Sequence, residues 1–353
     1  MPSQIPSSDP PDSGGSFYRA LLLLATAVLV ILGIFASGYW KRNPAGPTLA
    51  PVNPPDPARP DVEIIPDTPF ADVTSESGVT FVHFNGAAGE KLLPETMGAG
   101  VAIFDANHDG LQDLLFANGA DWSWTQARKA SVPTPELWLN QGGMTFSNST
   151  VSSGLAFSMQ GTGVAVGDYD NDGKTDVFLS GVGTLRLLRN IGNGRFEDVT
   201  AGSGLHLGVE DWASSAAFLD YDNDGDLDLF ACLYVRWSRE IDISVDYRLV
   251  GVGRAYGPPN NFPGNYPRLW QNLGDGRFRD VSVQAGLRML NKATGEPVAK
   301  SLGVSPVDLD RDGWMDLVVA NDTVQNFVFH NERNGTFKEI GAASGIAFDS
   351  YGS

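Results

Sequence analysis

The sequence predicts an all-β fold, a β-propeller of four-stranded blades, preceded by one transmembrane or signal-anchor helix. Three observations predict it. An aspartate-rich loop occurs four times in the chain. Short runs of β-branched and aromatic residues flank each loop and are punctuated by Gly- and Asn-rich turns, the signature of strands and hairpins. Helical periodicity is nearly absent after a single uncharged apolar stretch close to the N-terminus.

The first observation carries the most chemistry. Asp220-Tyr221-Asp222-Asn223-Asp224-Gly225-Asp226-Leu227-Asp228 has carboxylates at positions 1, 3, 5 and 9 and Gly at 6. So many like charges in nine residues repel unless a cation sits among them. Ca²⁺ takes roughly six to eight oxygens, with a Gly at position 6 for the turn and a backbone carbonyl at position 7. The same spacing is found in Asp168, Asp170, Asp172, Gly173 and Asp176, and in Asp308, Asp310, Asp312, Gly313 and Asp316. The first loop runs Asp105, Asn107, Asp109, Gly110, Asp113, with Asn107 in place of the second carboxylate. Position 7 contributes its backbone, so Leu111, Lys174, Asp226 and Trp314 differ freely in type. These loops are not EF-hands, which need a bidentate Glu at position 12 between helices. Position 12 here is Phe116, Leu179, Ala231 or Val319, each inside an apolar strand-like run. The competing reading, aspartates that only cap turns by accepting backbone N–H groups, suits a lone loop better than four. The cofactor expected is Ca²⁺, in a structural role.

The blades follow from the second observation. Gly163 to Gly167 enters the second loop and Asp176 to Leu179 leaves it. Leu185 to Arg189 and Arg195 to Val199 flank an Asn190-Ile191-Gly192-Asn193-Gly194 hairpin turn. The last strand recurs as Phe196-Glu197-Asp198-Val199-Thr200, Phe278-Arg279-Asp280-Val281-Ser282 and, more loosely, at Phe146 and Phe337. Phe70-Ala71-Asp72-Val73-Thr74 matches it too and reads as a leading strand as far as Val79. A Gly-aliphatic pair follows each copy: Gly78-Val79, Gly154-Leu155, Gly204-Leu205, Gly286-Leu287 and Gly345-Ile346. The loop starts at 105, 168, 220 and 308 are unevenly spaced, and two insertions account for this: Ala120 to Pro135 and Arg236 to Pro267. Self-similarity of this period means a repeat architecture, and four short strands per repeat mean propeller blades.

The third observation sets the N-terminal plan. Residues 1–18 are rich in Pro, Ser and Asp and read as disordered. Residues 19–40 contain the uncharged run from Ala20 to Gly38, about long enough for a ~30 Å hydrocarbon core. Tyr39-Trp40-Lys41-Arg42 follows as an interfacial pattern. A cleaved signal peptide, with Ala36-Ser37-Gly38 as its site, is the alternative. Residues 41–69 form a Pro-rich spacer of polyproline type, and residues 70–353 are the repeat domain. The predicted protein is membrane-anchored through the helix, with the domain outside the cytoplasm, or secreted if the segment is cleaved.

Charge and composition exclude other classes. The net charge is −18, and the loops hold 16 of the 42 acidic residues, so bound cations largely cancel the excess. No basic stripe exists to meet phosphates, which excludes nucleic acid. The one cysteine, Cys232, lies in an apolar run and reads as buried and inert. His83, His108, His206 and His330 make no zinc spacing, and there is no Gly-x-Ser-x-Gly elbow. No catalytic constellation is expected. Trp122 and Trp124, with Asp121, sit in an insertion and are the candidates for an exposed binding platform.

Several strings resemble a known family. The loops look like the FG-GAP/VCBS repeats of integrin α-chain propellers. Phe70 to Val79, Met97-Gly98-Ala99-Gly100-Val101-Ala102, Leu233-Tyr234-Val235-Arg236-Trp237, Leu269 to Phe278 and Val319-Ala320-Asn321-Asp322-Thr323 resemble the cartilage-acidic-protein-like (ASPIC/UnbV) family over about residues 70–350. The resemblance implies a seven-bladed, calcium-binding, extracytoplasmic propeller with an adhesion or interaction role and no established catalytic residues. About four blades are present and no ASPIC/UnbV segment, so the expectation is an N-terminal fragment of such a protein. Its partner is expected to be a protein or a glycan. A carbohydrate-binding or carbohydrate-cleaving propeller is the alternative.

Overall fold

The computed structural model describes residues 70–125 and 132–348. The predicted helix at 19–40, the spacer at 41–69 and the disordered segment 1–18 lie outside the described residues. Among the described residues no helix is long and apolar enough to cross a membrane. The chain divides into two compact units, Met1–Phe70 and Ala71–Ser353, and the description concerns the second.

Among its described residues that unit holds four four-stranded antiparallel sheets and one two-stranded sheet. A short helix, α1 (Thr74–Ser77), precedes the first sheet, which contains β1 (Val101–Phe104), β2 (Asp113–Phe116), β3 (Glu136–Asn140) and β4 (Phe146–Asn148). After α2 (Thr150–Ser153) comes the second sheet, with β5 (Gly161–Gly167), β6 (Asp176–Gly181), β7 (Leu185–Gly192) and β8 (Arg195–Asp198). The third sheet opens with β9 (Asp211–Leu219) and β10 (Asp228–Arg236). Its insertion then folds into α3 (Arg239–Val245) and a small hairpin of β11 (Arg248–Leu249) and β12 (Gly253–Arg254). The sheet is completed by β13 (Arg268–Asn272) and β14 (Phe278–Asp280). The fourth sheet contains β15 (Ser301–Val307), β16 (Asp316–Asn321), β17 (Phe327–Asn331) and β18 (Phe337–Glu339), followed by α4 (Gly341–Ser344). Each four-stranded sheet is a meander in chain order, and the aspartate loop always joins its first two strands.

Period-two alternation makes each sheet two-sided, and the sides form seams. Val177 and Leu179 of β6 pack with Phe104, Leu115 and Leu137 of the first sheet. Phe178, between them, packs with Leu229, Ala231 and Trp270 of the third. Likewise Leu229, Ala231 and Leu233 of β10 face the second sheet, while Phe230 and Cys232 face Leu317, Val319 and Phe329 of the fourth. An inner sheet therefore reads as a continuous apolar run, because both of its faces are covered. Cys232 is fully buried, and burial pushes its thiol up to about 12, which agrees with the inert thiol expected from the sequence.

The Gly-aliphatic pairs lock these seams. Gly204 has φ +78, and a Cβ there would meet the carbonyl oxygen of Phe278 in the next sheet at 2.5 Å. No other residue satisfies both the left-handed conformation and the close approach. Leu205, Leu155 and Leu287, each just after such a glycine, are buried in the seams.

One expectation fails. Residues 70–79 are not a strand. Thr74–Ser77 form a helical turn closed by Gly78 at φ 76, and Asp72 Oδ1 accepts the Thr74 N–H at 2.9 Å. Its relatives β4, β8, β14 and β18 are strands because each pairs with a third strand. Among the described residues the Phe70 segment has no such partner; the turn at Thr74–Ser77 is the same one that follows β4 and β18.

Candidate metal loops

The four loops share one hydrogen-bond scheme. The first aspartate accepts two backbone N–H groups, those of positions 5 and 6. Asp220 takes Asp224 at 3.2 Å and Gly225 at 3.0 Å. Asp105, Asp168 and Asp308 do the same in their own loops. The aspartate at position 5 accepts the N–H of position 7, so Asp109, Asp172, Asp224 and Asp312 hold Leu111, Lys174, Asp226 and Trp314 at 2.8–2.9 Å. The chain reverses through left-handed residues at positions 4 and 6, such as Asn223 at φ 56 and Gly225 at φ 93.

Position 9 ties the loop to the sheet. Asp228 is fully buried. Its Oδ2 accepts the Tyr221 N–H at 3.0 Å and its Oδ1 the Asn272 N–H at 2.8 Å. Asp113, Asp176 and Asp316 bind Asn140, Asn190 and Asn331 in the same way. Those asparagines then reach upstream. Asn190 Nδ2 donates to Ala106 O of the first loop, Asn272 Nδ2 to Tyr169 O of the second and Asn331 Nδ2 to Tyr221 O of the third, at 2.8–3.0 Å. Each also donates to a carbonyl of its own loop, Thr175, Leu227 or Met315. This asparagine is the functional residue that spacing alone misses. The signal for it is the Asn that recurs at the end of every third strand.

Burial and mutual repulsion show in the electrostatics. Burial, with neighbouring aspartates, pushes Asp176 and Asp228 up to about 7. It also raises Asp113, Asp170 and Asp222. Asp172 goes down, chiefly through its hydrogen bond with Lys174.

The structure brings three carboxylates within 4.8 Å of one another in three loops: Asp168, Asp170 and Asp176; Asp220, Asp222 and Asp228; and Asp308, Asp310 and Asp316. The first loop is not among them, and Asn107 stands where the others have a carboxylate. Asp172, Asp224 and Asp312, at position 5, stay outside the trios. The donor set is all oxygen, which suits a hard cation such as Ca²⁺. In the third loop Asp222 Oδ1 is buried and has no hydrogen-bond partner. A buried oxygen of that kind is met by a donor or an ion, and the carboxylates grouped around it fit a cation.

The tryptophans behave differently from the expected platform. Trp122 is only 6% exposed. It stacks on Trp124 at 4.9 Å and lies tilted against Trp237 at 5.0 Å. Trp124 is 42% exposed and its Nε1 donates to Glu90 Oε2 at 3.1 Å. Both insertions join in this cluster: Arg239 pairs with Glu90, and buried Asp242 accepts the Trp237 indole at 2.8 Å and the Leu93 N–H at 2.7 Å. Its other oxygen pairs with Arg254 at 2.7 Å.

Comparison with known proteins agrees with this geometry. An FG-GAP-like repeat model matches residues 105–179, 168–231 and 308–353. Cartilage acidic protein 1 of Mus musculus is 25% identical over 273 residues, covering 72% of this chain and 36% of that protein. The Homo sapiens protein is 24% identical over 270 residues, with the same coverage. The Xenopus tropicalis protein is 27% identical over 142 residues, covering 40% of this chain and 21% of its own length. The chain thus spans at most 36% of the length of these relatives. It carries FG-GAP-like repeats and is weakly homologous to cartilage acidic protein 1, of the ASPIC/UnbV family, over much of its length.

Proposed function

We propose that this chain is a calcium-stabilised adhesion or interaction module, held outside the cytoplasm by the helix at residues 19–40, with its sheets forming blades of a β-propeller. The observation that supports it best is the third loop, where Asp220, Asp222 and Asp228 converge and Asp222 Oδ1 is buried without a partner. The position 1, 3 and 9 carboxylates would hold the ion, with those at position 5 and the backbone carbonyls of Leu111, Lys174, Asp226 and Trp314 beside them. Bound Ca²⁺ would cancel the repulsion within each loop and fix the turn between the first two strands of a blade. The module does no chemistry in this reading. Its partner is a protein or a glycan.

The test is thermal unfolding of the full chain in Ca²⁺ and in EDTA. A melting temperature that rises with Ca²⁺ and returns with EDTA is expected; an unchanged one rejects the calcium role. A carbohydrate reading draws on one observation, the open face of Trp124 stacked on Trp122. A glycan array with Trp124→Ala as control decides it, and binding that survives the substitution counts against that face.

A further inference from the structure

The four loops share a backbone scheme but not a charge environment. In the second loop, Lys174 Nζ lies 2.6 Å from Asp172 Oδ2. Arg189, paired with Glu197 at 2.6 Å, adds a second positive charge acting on Asp170 and Asp172. In the fourth loop Arg333 Nε holds Asp312 Oδ2 at 2.6 Å. His330 Nδ1 lies 3.1 Å from Asp316 Oδ1, and its Nε2 4.0 Å from Asp310 Oδ2. In the first loop Asn107 removes a carboxylate, and its amide donates to Asp109 Oδ2 at 2.9 Å.

The third loop stands apart. Among the described residues, no Lys, Arg or His comes within ion-pair distance of its five aspartates. The side chain that does reach in is neutral: Gln271 Nε2 donates to Asp222 Oδ2 at 2.6 Å. That leaves the other oxygen, Asp222 Oδ1, buried and unpartnered. Arg189, Gln271 and His330 occupy one structural place, the residue before the seam asparagine on the third strand of each sheet, where the first sheet has Leu139. One position thus supplies an arginine already paired with Glu197, a neutral donor backed by Arg279, an imidazole or an apolar leucine.

We propose that the loops fill with divalent cation in an order built into the chain, the third first, and the second and fourth only once the cation displaces Lys174 from Asp172 and Arg333 from Asp312. This rests on the reading of the loops as calcium sites and adds a ranking to it. A side-chain cation and a metal compete for the same carboxylate oxygens, and like charge nearby opposes binding. The first site also touches both neighbours. Asn171 of the second loop donates to Asp226 Oδ1 at 2.7 Å, and Asn223 donates to Gly313 O of the fourth at 3.0 Å. Occupying the third loop therefore orders a turn that loops on either side already grip.

The test is calorimetric titration of the full chain with CaCl₂, for the wild type, Lys174→Gln/Arg189→Gln, Arg333→Gln and Asp224→Asn. The wild type is expected to show one tight site and a weaker group. Asp224→Asn, beside the Asp220, Asp222 and Asp228 trio, weakens the tight site. Lys174→Gln/Arg189→Gln moves one weak site tighter by about tenfold, the scale of a lost like-charge contact in partly solvated surroundings, and Arg333→Gln does the same for another. Equal sites in the wild type, or weak sites unmoved when the basic residues are removed, overturn the ranking while leaving the calcium reading intact. Absence of any binding overturns the calcium reading itself. If Asp224→Asn loses its near-ultraviolet tryptophan signal, and so its fold, the gain of affinity in the other two variants still decides.

Discussion

The two ends of the sheets are held together by opposite means. At one end the aspartate loops repeat a single device four times, its turn bonds made inside nine residues. At the other end, where β2 runs on to Trp122 and β10 to Trp237, a single cluster is made once from distant parts of the chain: Glu90 with Arg239, Leu93 with Asp242, Tyr256 with Glu95. The comparison teaches that the repeated end is where a cation can enter, because its oxygens are grouped and partly free. At the unrepeated end Glu90 and Asp242 are already paired with Arg239 and Arg254.

That division places the largest single loss at the unrepeated end. Asp242→Ala leaves the Trp237 indole, the Leu93 N–H and Arg254 without their shared carboxylate. A broken buried pair costs about 3–5 kcal/mol, which urea denaturation measures at saturating Ca²⁺. The loop end should respond to the ion instead. Ca²⁺ at about 100 times its dissociation constant adds about 2.7 kcal/mol per occupied site, and the near-ultraviolet dichroism of the Trp122–Trp124–Trp237 stack stays unchanged. A stack that alters with Ca²⁺ would show the two ends to be coupled.

Between the ends lie the seams. Asn272→Ala removes donors to both Tyr169 O and Leu227 O and should cost about 2 kcal/mol, since buried carbonyls left unmade are expensive. Asn140→Ala removes the bond to Gln112 O and should cost about 1 kcal/mol on the same grounds. Chemical denaturation of the pair tests whether the upstream bond carries the difference. Trp124→Ala, half outside its stack, should cost under about 1 kcal/mol beyond lost area.

The buried loop carboxylates should also give a pH slope. Asp176 and Asp228 are raised in the folded chain from 3.8 to about 7. The folded state then binds more protons than the unfolded between those values, so this stabilisation is complete below about pH 4 and lost as pH rises through 7. The Ca²⁺-free domain should melt at a lower temperature at pH 7.5 than at pH 5.5. Saturating Ca²⁺, which needs the ionised carboxylates, should flatten or reverse that slope.

What was legible in the sequence follows the same division. The loops, the strands around them and both insertions are written in spacings of a few residues, and β5 to β8 fall where Gly163 to Val199 predicts them. The seam asparagine was visible only as a turn residue, because its partner Tyr169 is 103 residues from Asn272. Trp122 read as exposed because Trp237, which covers it, follows a different sheet. The Phe70 segment read as a strand because a strand is half its partner, and the motif carries only its own half.

The asparagine bonds give the array a direction. Asn190, Asn272 and Asn331 each donate to the sheet before and never to the sheet after. Each of the two inner sheets thus carries the plug for one neighbour and the socket for the other. A duplicated repeat dropped between two existing ones meets a socket upstream and offers one downstream, so it joins without any new side chain having to evolve. Gene duplication can lengthen such a protein one repeat at a time.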